Sequence, residues 1–318
     1  MRVETAIIAL IFPLLMEQIK ILVTGSNGLL GQKLVDKLRK LPEVDLIASS
    51  KGRDRYPEQS RYRYLELDIT DEHAVREAIL QTKPHCIIHT AAMTNVDECE
   101  AAVEACKKLN VDAVAFILKA AALANSHIIH LSTDFIFDGK DGPYREEDKP
   151  FPLSVYGKSK FESEKLVQKY PGKWAIIRTI IVYGIVKDMS RSNIVLWAKK
   201  ALSENKPITV VDDQFRSPTL AEDLADACIA AALKGSTGIF NVSGKDFMSI
   251  LELVERVADH YKLDKSLIKP IKSDSLNQAA RRPPRTGFII EKAIQQLDYA
   301  PHSFEEGMEI LDLQLSQL

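Results

Sequence analysis

The sequence predicts an α/β fold, a Rossmann-type doubly wound parallel sheet with a smaller C-terminal lobe interleaved with it. Three observations carry that expectation. A short apolar run, a glycine-rich turn and an amphipathic helix follow one another in IKILVTGSNGLLGQKLVDKLRKL, from Ile19. Short apolar runs and helical stretches then alternate along the first half of the chain, which means parallel strands with crossover helices on both sheet faces. Beyond about Lys187 the elements shorten and are separated by proline-containing turns.

Taken in order, the opening run reads as a strand, and the apolar residues after the glycines recur near the 3.6 spacing of a helix. VDLIAS, YRYLEL, CIIHTAA and IIHLS read as further strands, with helices expected at DEHAVREAILQT and EACKKLNVDAVAFILKAAALA. The polar stretch DGKDGPYREEDKPFPLS is too long for a simple connection and is expected to be a site loop. A helix carrying VYGKSK follows, and then WAIIRTIIVYG as one more strand of the sheet. The segments ENKPITVVDDQFRSPTL, GSTGIFNVSG and RRPPRTGF belong to the smaller lobe. The expected division is residues 1–15 as an N-terminal extension, 16–186 as a dinucleotide-binding domain, and 187–318 as mainly a substrate-binding lobe. The apolar run Ala6 to Leu15 contains a proline and falls short of the roughly 20 residues that span a bilayer, so no membrane association is expected and Met16 is taken to open the working domain.

With 46% hydrophobic and 27% charged residues in 318, the chain has ample material for a core, and disorder is excluded. A net charge of -2 without long basic runs argues against a nucleic-acid partner. Cys86, Cys99, Cys106 and Cys228 form no CxxC pair and no zinc spacing, which suits a reduced, cytoplasmic protein. His127 and His130 flank an apolar pair with no matching carboxylate motif, so no metal site is expected.

TGSNGLLG sets Gly25, Gly28 and Gly31 between strand and helix, where glycine permits a tight turn, close approach of the backbone to a pyrophosphate, and close helix packing. Asn27, Leu29 and Leu30 complete the turn and the helix start, whose unpaired N–H groups face an anion. After the second strand stand Ser49, Ser50, Lys51 and Arg53, with no acid before Asp54. Hydroxyls and cations there favour a 2′-phosphate, hence NADPH, with NADH as the alternative. Asp68 and Ile69 either flank the adenine or form an N-cap or turn. In VYGKSK, Tyr156 and Lys160 are helical neighbours four residues apart, a spacing that also arises from plain packing of a phenol on a lysine stem.

TGxxGxxG followed by YxxxK resembles the extended short-chain dehydrogenase/reductases. AAMTNVDECE, STDFIFDG, PYREEDKPFPLSVYGKSK and DDQFRSPT are similar, in that order, to motifs of the dTDP-4-dehydrorhamnose reductases, from Met16 onward. The resemblance implies NADPH-dependent reduction of the 4-keto group of a nucleotide-linked deoxysugar, most simply dTDP-4-dehydrorhamnose. It implies that Tyr156 gives a proton to the ketone oxygen, that Lys160 binds the nicotinamide ribose and lowers the tyrosine pKa, and that Thr133 bonds the same oxygen. Moving a tyrosine about three units from its usual value of ~10 needs roughly 4 kcal/mol. Thr90, Ala91 and Ala92 are implied in cofactor binding, Thr133, Asp134 and Ile181 in sugar binding, and a homodimer is left open. Asp134 is either that sugar contact or a turn former; Asn110 holds a water behind Lys160 or bonds a neighbouring backbone.

The chain departs from the family pattern at Ile181, where a tryptophan is common, in KDMSRSNIV, at Arg216, where a small residue is common, and at Thr286 and Phe288. Those departures put the sugar in question and leave the nicotinamide chemistry intact. Two other functions use the same motif set: a non-catalytic nucleotide-binding subunit similar to the methionine adenosyltransferase beta subunit, and a nucleotide-sugar epimerase.

Overall fold

The computed structural model describes residues 18–58, 60–189 and 192–317. The expected extension 1–15, and residues 190 and 191 of KDMSRSNIV, lie outside the described residues.

Strand β1 (Ile19–Thr24) runs through the glycine turn into helix α1 (Leu29–Leu38), followed by β2 (Val44–Ser50) and β3 (Arg63–Glu66). Then come α2 (Glu72–Thr82), β4 (Cys86–His89), α3 (Val96–Ala101), α4 (Val103–Lys107), α5 (Ala113–Ala124) and β5 (His127–Thr133). The site loop leads to α6 (Val155–Gln168) and β6 (Trp174–Thr179). With β7 (Val182–Tyr183), α7 (Ile194–Ser203), β8 (Ile208–Val211), β9 (Phe215–Arg216) and β10 (Thr219–Leu220) the chain builds part of a second lobe. Helix α8 (Ala221–Lys234) and β11 (Gly238–Asn241) return to the first lobe, and β12 (Met248–Ser249), α9 (Ile250–Tyr261), β13 (Ile268–Ile271) and β14 (Arg285–Thr286) go back to the second. The chain closes with α10 (Glu291–Leu297) and α11 (Phe304–Leu315).

Among the described residues the large sheet has seven strands in the order β11-β6-β5-β4-β1-β2-β3, all parallel. Successive strand side chains point to opposite faces. Ile21 and Val23 of β1 therefore pack under α1, α8 and α10, while Leu22 packs on the other side against α2 and α5. Cys86 and Ile88 against Ile87, and Ile129 and Leu131 against Ile128, repeat the division. Each fully buried Ile or Leu contributes roughly 1.5–3 kcal/mol, so a sheet buried on both faces needs no polar alternation.

Helix starts are set locally: Asp71 accepts from Ala74 N at 3.0 Å and Ser154 from Gly157 N at 3.1 Å. The stretch expected as one helix from Glu104 is wound as a π-helix over Lys108–Asp112, between α4 and α5. The wider turn carries Asn110 inside, where it is buried. WAIIRTIIVYG is not one strand. It breaks after Thr179 because Ile181 takes φ +30°, while Thr219 N–H and Oγ1–H donate to the carbonyls of Ile181 and Ile180 at 3.0 and 2.6 Å. That bend sends β7 out of the large sheet to pair with β10.

The small lobe has its own core, with Val195, Leu202, Leu253, Val257 and Met308 among its members. Residues 221–242 and α10, all beyond position 187, belong instead to the core of the large sheet. Among the described residues no helix is long and apolar enough to cross a membrane.

Candidate active site

A cleft of about 640 Å³ opens at the carboxyl ends of the sheet strands and is lined at one end by Gly25, Asn27, Gly28, Leu29, Leu30 and Gly31. Gly25 has φ +76°, and a Cβ there would stand 2.7 Å from Ala91 N and from Thr90 Oγ1. A Cβ on Gly31 would run into the Gly25 carbonyl. Gly28 precedes α1 and supplies no side-chain cap, so the first N–H groups of the helix meet bare backbone. The Asn27 side chain is a bracket: its amide donates to Arg53 O at 3.0 Å and its oxygen accepts from Arg55 N at 2.9 Å, fastening the loop after β2 to the turn. Thr90, Ala91 and Ala92 line the cleft beside them, with the Thr90 hydroxyl donating to Thr24 O at 2.7 Å.

Further along the cleft stand Ser50, Lys51, Asp68 and Ile69, as the sequence reading anticipated by position. Arg53 does not join them. It is exposed and off the cleft, and Arg55 lines it instead, because the Asn27 bracket fixes how the loop turns. Lys51 is not free of an opposing acid either: its ammonium lies 2.8 Å from Asp68. That lysine, with the Thr70 N–H and hydroxyl, holds the Asp68 carboxyl down at about 2. Asp68 thus shapes a turn, through Thr70, and also stands on the cleft wall. Asp54 is occupied by Tyr56 N–H and the Tyr62 hydroxyl.

At the other end Thr133, Tyr156 and Lys160 share the wall. Ser154, by capping α6, places Tyr156 in its first turn and Lys160 one turn on. The phenol is buried among Cys99, Cys106, Met93 and Phe135, whose ring lies edge-on at 5.7 Å. Burial pushes its pKa up, against the pull of the Thr133 hydroxyl. The expected net lowering of the phenol is therefore not what the chain alone shows: desolvation dominates and the net direction is upward. A phenol that keeps its proton at neutral pH is the right state for a donor.

Lys160 is 3% exposed, and burial drives its pKa down to about 8 against the attraction of Glu164. Among the described residues its Nζ has no hydrogen-bond partner. A buried amine without a partner, facing a cleft whose far wall is bare backbone at a helix start, fits a dinucleotide with a ribose hydroxyl near Lys160 and phosphates at α1. Asn110 takes the backbone role: its oxygen accepts from Met93 N at 2.8 Å and its amide donates to Met93 O and Ser159 Oγ, both at 3.0 Å. His130 Nε2 lies 2.9 Å from Ser163 Oγ, and His127 Nε2 is 2.9 Å from Ser236 O. A buried ion pair braces the site from behind, Arg178 donating to both oxygens of Glu164 at 3.0 and 2.8 Å and to Glu146 O at 2.9 Å.

On the small-lobe side Ile181 and Asp134 line the cleft. Asp134 is more than a turn former. It is 2% exposed, accepts from the Thr133 hydroxyl at 3.1 Å and from the Thr286 hydroxyl, and lies 3.5 Å from Arg216 Nε. Two positions that set this chain apart in sequence, Arg216 and Thr286, thus meet on one carboxylate. Sequence reasoning missed Arg55 and this meeting; Arg55 lies two residues from the cation it named.

Residues 19–313 match the family model described as "RmlD substrate binding domain". A dTDP-4-dehydrorhamnose reductase of Aggregatibacter actinomycetemcomitans is 32% identical over 308 residues, covering 91% of this chain and 97% of that one. The methionine adenosyltransferase 2 subunit beta of Bos taurus is 34% identical over 269 residues, covering 83% and 78%. The crystal structure of dTDP-4-dehydrorhamnose reductase from Bacillus anthracis in complex with NADP superposes with a TM-score of 0.80 at 25% identity, over 93% of this chain and 99% of that one.

Proposed function

Because the chain belongs to the RmlD substrate-binding-domain family of extended short-chain dehydrogenase/reductase fold, we propose that it is an NADPH-dependent oxidoreductase, able to use NADH less well, that reduces the 4-keto group of a nucleotide-linked deoxysugar. The first candidate is dTDP-4-dehydrorhamnose. The observation that carries the reading is the placement of Thr133, Tyr156 and Lys160 on one cleft whose other end is the glycine turn at α1.

Gly25, Gly28 and Gly31 let the backbone approach the pyrophosphate, Lys51 and Arg55 stand where a 2′-phosphate would be met, and Lys160 holds the nicotinamide ribose. Bound there, the dinucleotide supplies a hydride to the ketone carbon. Tyr156 gives its phenolic proton to the ketone oxygen as the carbonyl π pair moves onto it, and Thr133 orients that oxygen. Lys160, charged below about pH 8 in the chain alone, offsets the negative charge left on the phenol. Burial around Tyr156 keeps water from supplying the proton instead. Ile181, in place of an aromatic ring, offers the sugar a smaller and more adaptable apolar wall.

The test is consumption of NADPH absorbance by purified protein with dTDP-4-dehydrorhamnose, and with nucleotide 4-keto-sugars of other configuration. A reductase consumes one NADPH per sugar, while an epimerase recycles it. The 34% identity to a methionine adenosyltransferase beta subunit favours a second reading, a nucleotide-binding regulatory subunit; such a protein binds NADPH and leaves every keto-sugar untouched.

A further inference from the structure

Asp134 sits at the junction between the lobes, one residue beyond the end of β5. Its oxygens are taken up unevenly. Oδ1 accepts from the Thr133 hydroxyl at 3.1 Å, and Oδ2 accepts from the Thr286 hydroxyl and faces Arg216 Nε at 3.5 Å. Arg216 and Thr286 come as a unit, since β9 and β14 pair in parallel with Thr286 opposite Arg216. The guanidinium is 2% exposed, and its other nitrogens donate to Phe215 O at 2.7 Å, Pro284 O at 3.3 Å and Pro283 O at 2.6 Å. Those carbonyls hold it in place without neutralising it. The charge it faces is Asp134, and the groups beyond Asp134 are Thr133 and the Tyr156 phenol.

We propose that Arg216 is a positioning residue of the active site: it holds Asp134 as an ionised carboxylate and masks that carboxylate's charge from the phenol of Tyr156. The inference rests on the ketone reduction proposed above, in which a phenolate forms at Tyr156. A buried carboxylate without its cation opposes that phenolate, because like charges in a low-dielectric site repel strongly. Burial raises Asp134, while Arg216, Thr286 and Thr133 pull it back down. Asp134 is itself among the groups that push the phenol up, together with the Cys99 and Cys106 thiols. Of the remaining charged groups, Lys160 lies one turn further along α6 and Arg282 lies beyond Arg216.

The test compares Arg216→Met, Arg216→Lys, Thr286→Val and the double variant Arg216→Met/Asp134→Asn, using two readouts. The first is the carbon-13 carboxyl titration of Asp134, assigned with Asp134→Asn. In Arg216→Met it is expected to move up towards neutral pH, in Thr286→Val to move up less, and in Arg216→Lys to stay close to the parent. The second is the pH profile of kcat. Below the displaced titration Asp134 is neutral and kcat of Arg216→Met sits on its own plateau; as pH rises through it, kcat falls from that plateau on the order of tenfold. The double variant, whatever its absolute rate, lacks that limb. A merely structural Arg216 lowers the melting temperature and adds no limb. The proposal is overturned if Asp134 titrates at the same pH with and without Arg216, if kcat does not follow the titration, or if the limb survives in the double variant. Thr286→Val carries both readouts should Arg216→Met fail to fold. A parent that reduces no keto-sugar overturns the function instead, and the carboxyl titration still decides whether Arg216 governs Asp134.

Discussion

Lys160→Met should make the cofactor-free protein more stable. The lysine is 3% exposed, and burial lowers its pKa from 10.5 to about 8. Its folded value lies below its unfolded value, so between those two pH values the unfolded chain binds more protons and stability rises with pH. Below about pH 8 the penalty for a buried ammonium is present in full. At about 1.4 kcal/mol per pH unit the difference amounts to about 3 kcal/mol. Methionine keeps the apolar stem and removes the charge, so the variant should gain up to that amount at pH 7, roughly 5 °C in melting temperature for a chain of this size. The assay is a set of paired thermal and urea melts of parent and variant between pH 6 and 10.5, without nucleotide. The gain should be full below pH 8 and gone by pH 10.5, where the parent lysine is neutral too. NADPH should stabilise the parent, and the variant much less. A variant that is no more stable at pH 7, or whose gain persists unchanged at pH 10.5, would refute the reasoning.

Tyr156→Phe should lower turnover at least ~10²-fold while leaving the NADPH dissociation constant nearly unchanged, because general acid catalysis is worth about that much; single-turnover kinetics with fluorescence binding separate the two. Lys51→Ala with Arg55→Ala should narrow the preference for NADPH over NADH, whereas Arg53→Ala, off the cleft, should leave it alone; titration with both cofactors decides. Glu164→Leu should destabilise by about 3–5 kcal/mol in urea melts by leaving the Arg178 charge buried and unpaired. Adding Arg178→Met should recover most of that loss.

Features with local causes were legible in the sequence. The turn at Gly25 to Gly31, the alternation of strands and helices, and the one-turn spacing of Tyr156 and Lys160 all follow from periodicity, glycine and capping within a few residues. What failed depends on distant segments. Nothing in RTIIVYG marks a break, because both flanking isoleucines are apolar and the hydroxyl that captures the Ile180 carbonyl comes from Thr219. The choice between Arg53 and Arg55 rests on Asn27, more than twenty residues away. The pKa of Tyr156 was misjudged since its burial comes from Cys99 and Cys106 on other helices. Arg216 and Thr286 read as separate departures until β9 and β14 put them side by side.

The way the chain is threaded between the lobes has a practical consequence. After β6 it leaves the large sheet for β7, returns with α8 and β11, leaves again through β14, returns for α10 and ends in the small lobe with α11. The lobes are stitched rather than strung, so no single cut of the backbone yields two complete halves. A protease nick in the loop between β11 and β12 should leave fragments that migrate together in native gels and separate only in denaturant. For the same reason, swapping the small lobe with that of a relative calls for several grafted segments at once, and a one-junction chimera should aggregate.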